Sequence, residues 1–300
     1  MIDFIGFEHR LHMLAAALPH AKKVTEFYVQ GLFVRVYEPE EAVEDVVLIY
    51  HGGGVNMDAG YDILARQLIQ CAATRVVLTD LRGHGRSAGN RGDAAAPRQL
   101  WRDVDTVLES VCSRFPAANV HLLGHSSGAG MLINYFTRYT PRAKSDSLLL
   151  LAPELGPFAP AQVRKRDASP FATAKQWPFV VNLLSGGLLF RHYPAVTLHF
   201  PAEVRHRNTN VVARYSVSLA NALTPRHPQQ QVAALPLPVT VLVAEQDELY
   251  DVDAMAEIIS RCGSHLRCQR VAESTHLDCL FNSSKQIAQH IHWVRTARRR

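Results

Sequence analysis

Cysteines are few in this sequence and are not arranged in pairs. The 300 residues contain five cysteines, an odd number, and none of them forms a Cys-x-x-Cys motif. This spacing predicts neither a disulfide framework nor a zinc site. We therefore expect reduced thiols and no bound metal.

Long apolar runs are absent near the start of the sequence. The run at residues 13–18 is shorter than a signal-peptide core or a membrane span, and charged residues such as Glu8 and Arg10 precede it. We expect a cytoplasmic protein without a transmembrane segment. The chain has 300 residues, of which 47% are hydrophobic, and this length and composition are sufficient to bury a large core.

Signals for nucleotides and nucleic acids are missing as well. No Gly-Lys-Ser or Gly-Lys-Thr follows the glycines at residues 52–54, and there is no Gly-x-Gly-x-x-Gly. Basic residues are not interleaved with aromatic ones, as they are in nucleic-acid-binding motifs. We expect neither a cofactor nor a nucleic-acid partner.

Positive charge is concentrated in one part of the chain. The net charge is +5, yet residues 154–236 alone contain nine Lys or Arg and three acidic residues, and residues 298–300 are all arginine. Two interpretations stay open, a solvated basic face or attraction to anionic head groups or substrates. The second predicts peripheral contact with anionic lipid surfaces.

Short apolar runs rich in Val, Ile and Leu alternate with longer segments of helical periodicity. This alternation is typical of parallel strands buried on both faces and joined by helices, so it predicts an α/β fold with a mostly parallel, doubly wound sheet. An antiparallel hairpin at residues 27–37 precedes the parallel part. The other predicted strands are residues 46–50, 75–80, 120–123, 147–152, 239–244 and 266–271, and the predicted helices are residues 61–70, 100–114, 129–138, 253–262 and 284–295.

The alternation stops between residues 153 and 237, where prolines are frequent. We predict a core built from residues 1–153 and 237–300 and an inserted lid of residues 154–236. An apolar cluster in the lid forms either its own small core or the wall of a substrate pocket. Trp177 and Leu184 are the candidates for substrate contact. The cluster comprises Trp177, Phe179, Val180, Leu183, Leu184, Leu188, Leu189 and Phe190.

The pentapeptide at residues 124–128, Gly-His-Ser-Ser-Gly, lies between an apolar run ending at Leu123 and a helical run beginning near Ala129. Gly-x-Ser-x-Gly is frequent by chance, but this position between strand and helix predicts a nucleophile elbow. Small flanking residues let such a turn close without collisions. Ser126 is therefore the candidate nucleophile.

A serine hydroxyl needs a neighbouring imidazole to accept its proton and a carboxylate to orient that imidazole. The loops after the last two predicted strands supply His276 and Asp247, in the chain order Ser126, Asp247, His276 that accompanies a nucleophile elbow. Glu245, Glu248, Asp251 and Asp253 are also near the acid loop. Asp251 is the reserve choice for the acid.

Acyl transfer also needs N–H donors where the carbonyl oxygen becomes negative. The glycines of the segment His51-Gly52-Gly53-Gly54 follow a predicted strand and permit close approach of the backbone. Gly53 is the favoured donor, together with the amide of Ser127 at the elbow. We expect Gly52, Gly54 and His125 to contact the substrate.

Together these motifs make the chain resemble the α/β-hydrolase superfamily, and within it the monoacylglycerol lipase and lysophospholipase-like branch. The resemblance covers the chain from about residue 27 onward and implies Ser126 as nucleophile, His276 as base and acid, and Asp247 as its orienter. It also implies that residues 80–89 form a structural loop beside the pocket. The motifs are HGGG at 51–54, YDILARQL at 61–68, DLRGHGRSAG at 80–89 and GHSSG at 124–128, followed by the loops at 247 and 276.

Three positions depart from the pattern of that branch. Ser127 stands where methionine is usual, Ala129 replaces a glycine of the elbow, and Glu245 replaces the glycine that opens the acid loop. A serine at the nucleophile position separates the chain from dehalogenases and epoxide hydrolases of this fold, which have aspartate there. The resemblance implies a serine esterase without cofactor that acts on lipid-like acyl esters.

Other activities fit the same residues. An acyltransferase or a thioesterase would use the same acyl-enzyme, and a binding protein could keep the fold without turnover. A peptidase of this fold needs extra acids in the lid for the substrate's amino terminus. The predicted lid has only Glu154, Asp167 and Glu203 among its excess of basic residues.

Overall fold

The computed structural model describes residues 2–165, 171–207 and 210–298. Arg166, Asp167, Arg299 and Arg300, which contribute to the charge pattern of the sequence, lie outside this part. The strands are β1 (Lys23–Val29), β2 (Leu32–Glu38), β3 (Asp45–Tyr50), β4 (Arg75–Thr79), β5 (Asn119–His125), β6 (Ser147–Leu151), β7 (Ala172–Ala174), β8 (Pro194–Leu198), β9 (Arg214–Ser216), β10 (Val239–Ala244) and β11 (Leu266–Val271). The α-helices are α1 (Phe4–Ala17), α2 (Tyr61–Cys71), α3 (Pro97–Arg114), α4 (Ser127–Arg138), α5 (Gln176–Leu184), α6 (Ala202–Arg207), α7 (Val217–Leu223), α8 (Pro228–Ala233), α9 (Val252–Arg261), α10 (Cys279–Asn282) and α11 (Ser284–Arg298).

The main sheet has eight strands in the order β1-β2-β4-β3-β5-β6-β10-β11. Strands β4, β3, β5, β6, β10 and β11 pair in parallel, and β2 runs antiparallel to both β1 and β4. The β1–β2 turn holds Gln30 and Gly31 at positive φ, 46° and 80°. The predicted mostly parallel α/β sheet and its initial hairpin are therefore confirmed.

Helices cover both faces of the sheet, which explains why the central strands are mostly apolar. In β3, Val46 and Leu48 belong to the core under α3 and α4, whereas Val47 and Ile49 belong to the core under α2 and α11. Every residue of β3 and β10 is buried. A strand buried on both faces has no solvent-facing side, so its sequence is a nearly continuous apolar run.

The chain leaves the sheet after β6 and re-enters it at the neighbouring strand β10. Between them lie a small antiparallel sheet, β7-β8-β9, and the helices α5 to α8. We use the term inserted segment for residues 154–236. None of the helices in the described part of the chain is long and apolar enough to cross a membrane.

A buried polar cluster lies at the amino ends of the parallel strands. His121 Nε2 is 3.0 Å from Asp45 Oδ1, and His121 Nδ1 is 2.7 Å from Ser147 Oγ. His290 Nε2 is 2.7 Å from the same Ser147 Oγ, and Thr240 Oγ1 is 2.7 Å from His290 Nδ1. Burial lowers the pKa of His121 to about 4 and that of His290 to about 3. Both rings are therefore neutral around pH 7 and hold the strand ends together by hydrogen bonds.

Candidate active site

The proposed catalytic side chains follow three strands whose carboxyl ends meet at one edge of the sheet. Ser126 follows β5, Asp247 lies three residues after the end of β10, and His276 lies five residues after the end of β11. Strands β5 and β10 are separated only by β6, and β10 pairs with β11. The parallel arrangement therefore brings the three loops together.

Ser126 occupies a strained turn between β5 and α4. Its backbone has φ 51° and ψ −116°, a region that non-glycine residues rarely adopt. Its N–H donates to the Leu151 carbonyl at 2.9 Å, and its carbonyl accepts from the amides of Ala129 and Glu154 at 3.0 and 3.1 Å. These bonds from both sides hold the conformation that presents the hydroxyl at the strand end.

The two glycines of the pentapeptide are required by packing. A Cβ on Gly124 would lie 2.5 Å from the Ala129 amide nitrogen, and one on Gly128 would lie 2.5 Å from the Tyr50 carbonyl oxygen. Both contacts are with backbone atoms, which cannot move aside as a flexible side chain can. Only glycine lets α4 begin so close to β3 and β5.

Ser126, His276 and Asp247 form a hydrogen-bonded array. Ser126 Oγ is 3.0 Å from His276 Nε2, and His276 Nδ1 is 2.8 Å from Asp247 Oδ2. Because ionised Asp247 can only accept, Nδ1 carries the proton and Nε2 is free to accept the serine proton. The side chains of His276 and Asp247 are 2% and 4% exposed. An imidazolium formed at His276 would therefore pair with Asp247 in surroundings that are shielded from water.

Asp247 is kept ionised by its surroundings. Burial alone would raise the pKa of its carboxyl, but His276 and the amides of Leu249 and Tyr250 outweigh burial and hold the pKa below its usual value. The amide of Leu249 donates to Oδ1 at 2.8 Å and that of Tyr250 at 3.2 Å. Lys165 of the inserted segment donates to the Asp247 carbonyl at 2.6 Å. These contacts keep the Asp247 carboxylate ionised and hold it in one orientation.

His276 has its pKa shifted in the opposite direction. Burial lowers the pKa of the imidazole, but the Asp247 carboxylate outweighs burial, so the pKa of His276 lies above its usual value. Its backbone N–H donates to Glu248 Oε2 at 2.7 Å. The sequence places Glu248 near the acid loop but does not connect it with the His276 loop, and nothing in the local pattern indicates that bond.

The amides of Gly53 and Ser127 are the unbonded donors of the site. Neither has a hydrogen-bond partner within the described residues, whereas the flanking amides of Gly52 and Gly54 donate to Tyr61 Oη and Tyr215 Oη at 2.7 and 2.5 Å. A Cβ on Gly53 would lie 2.9 Å from Ser127 Oγ, so these two predicted donors are neighbours. The arrangement suits an oxyanion hole beside Ser126.

Gly52, Gly54 and His125, the predicted substrate contacts at the glycine loop and the elbow, form hydrogen bonds within the protein. The amides of Gly52 and Gly54 are occupied by the tyrosine hydroxyls. His125 is 1% exposed, and its Nε2 donates to the His276 carbonyl at 3.1 Å while its Nδ1 accepts from Tyr61 Oη at 2.7 Å. A buried ring with both nitrogens bonded positions the loops instead of contacting a substrate. Sequence reasoning missed Tyr61 and Tyr215 as the groups that hold the glycine loop.

Trp177 and Leu184, the other predicted substrate contacts, lie on α5 of the inserted segment. Trp177 packs against Phe190 and Tyr193 with ring centroids 4.9 and 5.1 Å away, and Leu184 is 82% exposed. Within the described residues, no hydrogen bond or ring contact joins either side chain to Ser126, His276 or Asp247. The structure therefore places them on an exposed surface and does not bring them against the array.

His51 and Asp80 attach the glycine loop to the loop at residues 80–89. His51 Nδ1 donates to the Gly52 carbonyl at 2.9 Å, and its Nε2 accepts from the Leu81 amide at 2.9 Å. Asp80 accepts from the amides of Met57 and Arg86, each at 2.8 Å. Both residues thus stabilise backbone conformation behind the site.

The sequence of the chain is similar to those of known proteins. The family model described as serine aminopeptidase, S33, matches residues 41–278. A monoacylglycerol lipase of Mycolicibacterium smegmatis is 28% identical over 81% of each chain, and a monoglyceride lipase of Rattus norvegicus is 26% identical over 78% of this chain and 74% of that one. A match to protein phosphatase methylesterase 1 of Candida albicans, 29% identical, spans 39% of this chain and only 32% of that protein.

Solved structures show the same fold at low identity. A carboxyl esterase of Bacillus coagulans superposes with a TM-score of 0.66 at 16% identity, over 92% of this chain and 99% of that one. A monoacylglycerol lipase of Paleococcus ferrophilus gives a TM-score of 0.60 at 17% identity, over 88% and 98%. The relatives and solved structures named here are lipases and esterases by name. From the family model, the chain belongs to the serine aminopeptidase S33 family of α/β hydrolases.

Proposed function

We propose that the protein is a serine hydrolase that cleaves carboxylic esters through an acyl-enzyme, with lipid-like acyl esters of the monoacylglycerol or lysophospholipid class as substrates. The observation that carries the proposal is the array of Ser126, His276 and Asp247 beside the unbonded amides of Gly53 and Ser127. Lipase relatives that cover most of the chain support the ester class.

In the first half of the reaction, Ser126 Oγ attacks the ester carbonyl carbon while its proton moves to His276 Nε2. Asp247 stabilises the imidazolium, and the carbonyl oxygen, now negative, accepts hydrogen bonds from the amides of Gly53 and Ser127. His276 then gives its proton to the departing alcohol. Each such donor is typically worth a factor of about 10² to 10³ in rate.

In the second half, water replaces the alcohol. His276 takes a proton from the water as it attacks the acyl carbonyl, and the same two amides stabilise the second oxyanion. Collapse of that intermediate returns the proton to Ser126 and releases the carboxylic acid. An alcohol or thiol in place of water would give acyl transfer from the same intermediate.

We expect purified protein to hydrolyse p-nitrophenyl esters, 1-monoacylglycerols and lysophosphatidylcholine, and to react covalently with a fluorophosphonate. Parallel assays use acyl thioesters and aminoacyl p-nitroanilides, with product analysis in the presence of glycerol. Turnover of the anilides without ester hydrolysis would instead support a peptidase. Folded protein that neither turns over esters nor reacts with the fluorophosphonate would support a binding protein.

The inserted segment also supports the proposed contact with anionic lipid surfaces. An apolar patch on α5 and the turn after it is exposed, and a Cβ added at position 186 or 187 of this turn would meet no atom within 4 Å among the described residues. The exposed cations Lys175 and Arg191 flank the patch. Apolar side chains beside cations fit the interface of an anionic membrane. The patch comprises Trp177, Val180, Leu183, Leu184, Leu188, Leu189 and Phe190.

Binding to vesicles tests this surface. We expect sedimentation with phosphatidylcholine vesicles containing phosphatidylglycerol to weaken as salt rises, because salt screens the cations. Combined Leu184→Ser and Leu188→Ser should weaken binding at least about tenfold through lost apolar burial. Met13→Ser, which changes a 61% exposed residue on α1, is the matched control and should bind like wild type. Salt-independent binding, or equal binding by all three proteins, contradicts the proposal.

A further inference from the structure

Gly54 of the glycine loop has both of its backbone polar groups bonded to the inserted segment. Its N–H donates to Tyr215 Oη at 2.5 Å, and its carbonyl accepts from the Val212 amide at 2.8 Å. It has φ +75°, and a Cβ there would lie 2.6 Å from the Phe200 ring. Phe200, Val212 and Tyr215 therefore enclose Gly54 and determine the direction of its amide.

Tyr215 is itself held in one orientation. Its hydroxyl lies 2.9 Å from His84 Nε2, and His84 Nδ1 lies 3.1 Å from the Arg82 carbonyl oxygen. A carbonyl can only accept, so Nδ1 carries the ring proton, Nε2 accepts from Tyr215, and the Tyr215 oxygen is left to accept from Gly54. Burial and the neighbouring His51 lower the pKa of His84 to about 3, so Nε2 keeps its lone pair at neutral pH.

The strand that carries Tyr215 rests directly on the core. The Ser216 amide donates to the Gly92 carbonyl at 2.9 Å, and a Cβ on Gly92 would collide with the Arg214 carbonyl oxygen. Tyr215 is 4% exposed, and its hydroxyl lies 3.7 Å from the Cβ position of Gly53. The position of this hydroxyl next to the oxyanion donor is thus set by how β9 packs on the loop that contains Gly92.

Three consecutive glycines would otherwise sample many conformations, because glycine has the largest backbone freedom. Tyr61 of α2 fixes the amide before Gly53 and Tyr215 of the inserted segment fixes the amide after it, which leaves the Gly53 N–H unbonded within the described residues. We propose that Tyr215 is a positioning residue for the oxyanion hole, through which the packing of the inserted segment aligns the Gly53 amide with the reacting carbonyl. This inference rests on the proposed ester hydrolysis.

Replacing Tyr215 by phenylalanine tests the inference. With a soluble p-nitrophenyl ester, we expect Tyr215→Phe to lower kcat about 10- to 100-fold, as for a weakened oxyanion donor, and to change KM less than about threefold. Tyr135→Phe is the matched control. It removes another buried hydroxyl, which donates to Asp105 at 2.6 Å in the core between α3 and α4, and it should leave both constants within about twofold of wild type.

An oxyanion-forming inhibitor separates positioning from general loss of structure. A trifluoromethyl ketone adds Ser126 Oγ to its carbonyl carbon, sends the serine proton to His276 and places a negative oxygen in the hole. Its inhibition constant should rise by the same factor by which kcat/KM falls in Tyr215→Phe. Inhibition by a neutral alcohol of the same chain length, which has no carbonyl or anionic oxygen to place in the hole, should be unchanged.

Two outcomes overturn the inference. One is folded Tyr215→Phe whose kcat and ketone affinity stay within twofold of wild type, and the other is an equal loss in Tyr135→Phe. If Tyr215→Phe does not fold at the assay temperature, His84→Leu takes its place, because it keeps the Tyr215 ring and leaves no side-chain acceptor for the Tyr215 hydroxyl. A wild-type protein without esterase activity or fluorophosphonate reaction contradicts the proposed function instead.

Discussion

We expect Ser126→Ala to lower kcat/KM for p-nitrophenyl butyrate by about 10⁴-fold or more and to abolish reaction with a fluorophosphonate. The alanine has no oxygen to form the acyl-enzyme, and the residual rate comes from the remaining binding and oxyanion groups. The Ser126 hydroxyl is the one that hydrogen-bonds His276 Nε2, at 3.0 Å. Initial rates over a range of substrate concentrations, with circular dichroism to verify folding, measure the effect.

The adjacent serine provides the control. In the proposed mechanism Ser127 contributes only its backbone amide, and alanine retains that amide. Ser127→Ala is therefore expected to lower kcat/KM less than about tenfold. Each variant removes one serine hydroxyl, and the two serines are adjacent residues of one turn. Retention of more than a tenth of wild-type activity by Ser126→Ala, or a larger loss in Ser127→Ala, contradicts the assignment of the nucleophile.

Asp247→Asn should lower kcat by about 10³- to 10⁴-fold and move the acid limb of the pH profile. Asparagine can donate to His276 Nδ1 and so favour the wrong tautomer. In wild type, His276 must be neutral to act as base, and Asp247 holds its pKa above the usual value, so kcat/KM falls as pH drops through a pKa above about 6.5. Without the carboxylate, burial lowers the pKa of His276, and the limb moves to lower pH.

Asp251→Asn is the matched control for this carboxylate. Asp251 is the reserve acid in the sequence analysis, but its Oδ1 accepts from the Ala254 amide at 2.9 Å and caps the first turn of α9. Asparagine also caps helices well, so the variant should keep wild-type activity and stability. If Asp251→Asn shows the rate loss and the pH shift and Asp247→Asn does not, the assignment of the acid is wrong.

The core of the fold can be predicted because its strands are buried on both faces. The sequence predicts a strand at residues 239–244, and β10 covers the same residues, all of them buried. In contrast, the sequence pattern does not indicate helix α1, because only Phe4 and Phe7 of its 14 residues are buried and its apolar face is weak. The three residues of β7 are all exposed, so no alternation in the sequence indicates that strand.

Residues of the candidate site can be predicted from the sequence only where they follow a recognisable strand in the expected chain order. Ser126, Asp247 and His276 each follow a recognisable strand, and the structure brings them within hydrogen-bonding distance. Tyr215 lies 161 residues from Gly54, in a segment without regular periodicity. Such a contact depends on tertiary packing, and no local pattern in one sequence indicates it.

The polar cluster at the amino ends of the strands contains the same three residue types as the candidate active site. His121 lies 3.0 Å from Asp45 and 2.7 Å from Ser147, separations close to those between His276 and its two partners. All three side chains of this second set are 0% exposed, whereas Ser126 is partly exposed. Hydrogen-bond distances among an aspartate, a histidine and a serine therefore do not distinguish the set at the amino ends of the strands from the set at the carboxyl ends. Solvent access distinguishes them, because no ester can reach Ser147 without unfolding the protein.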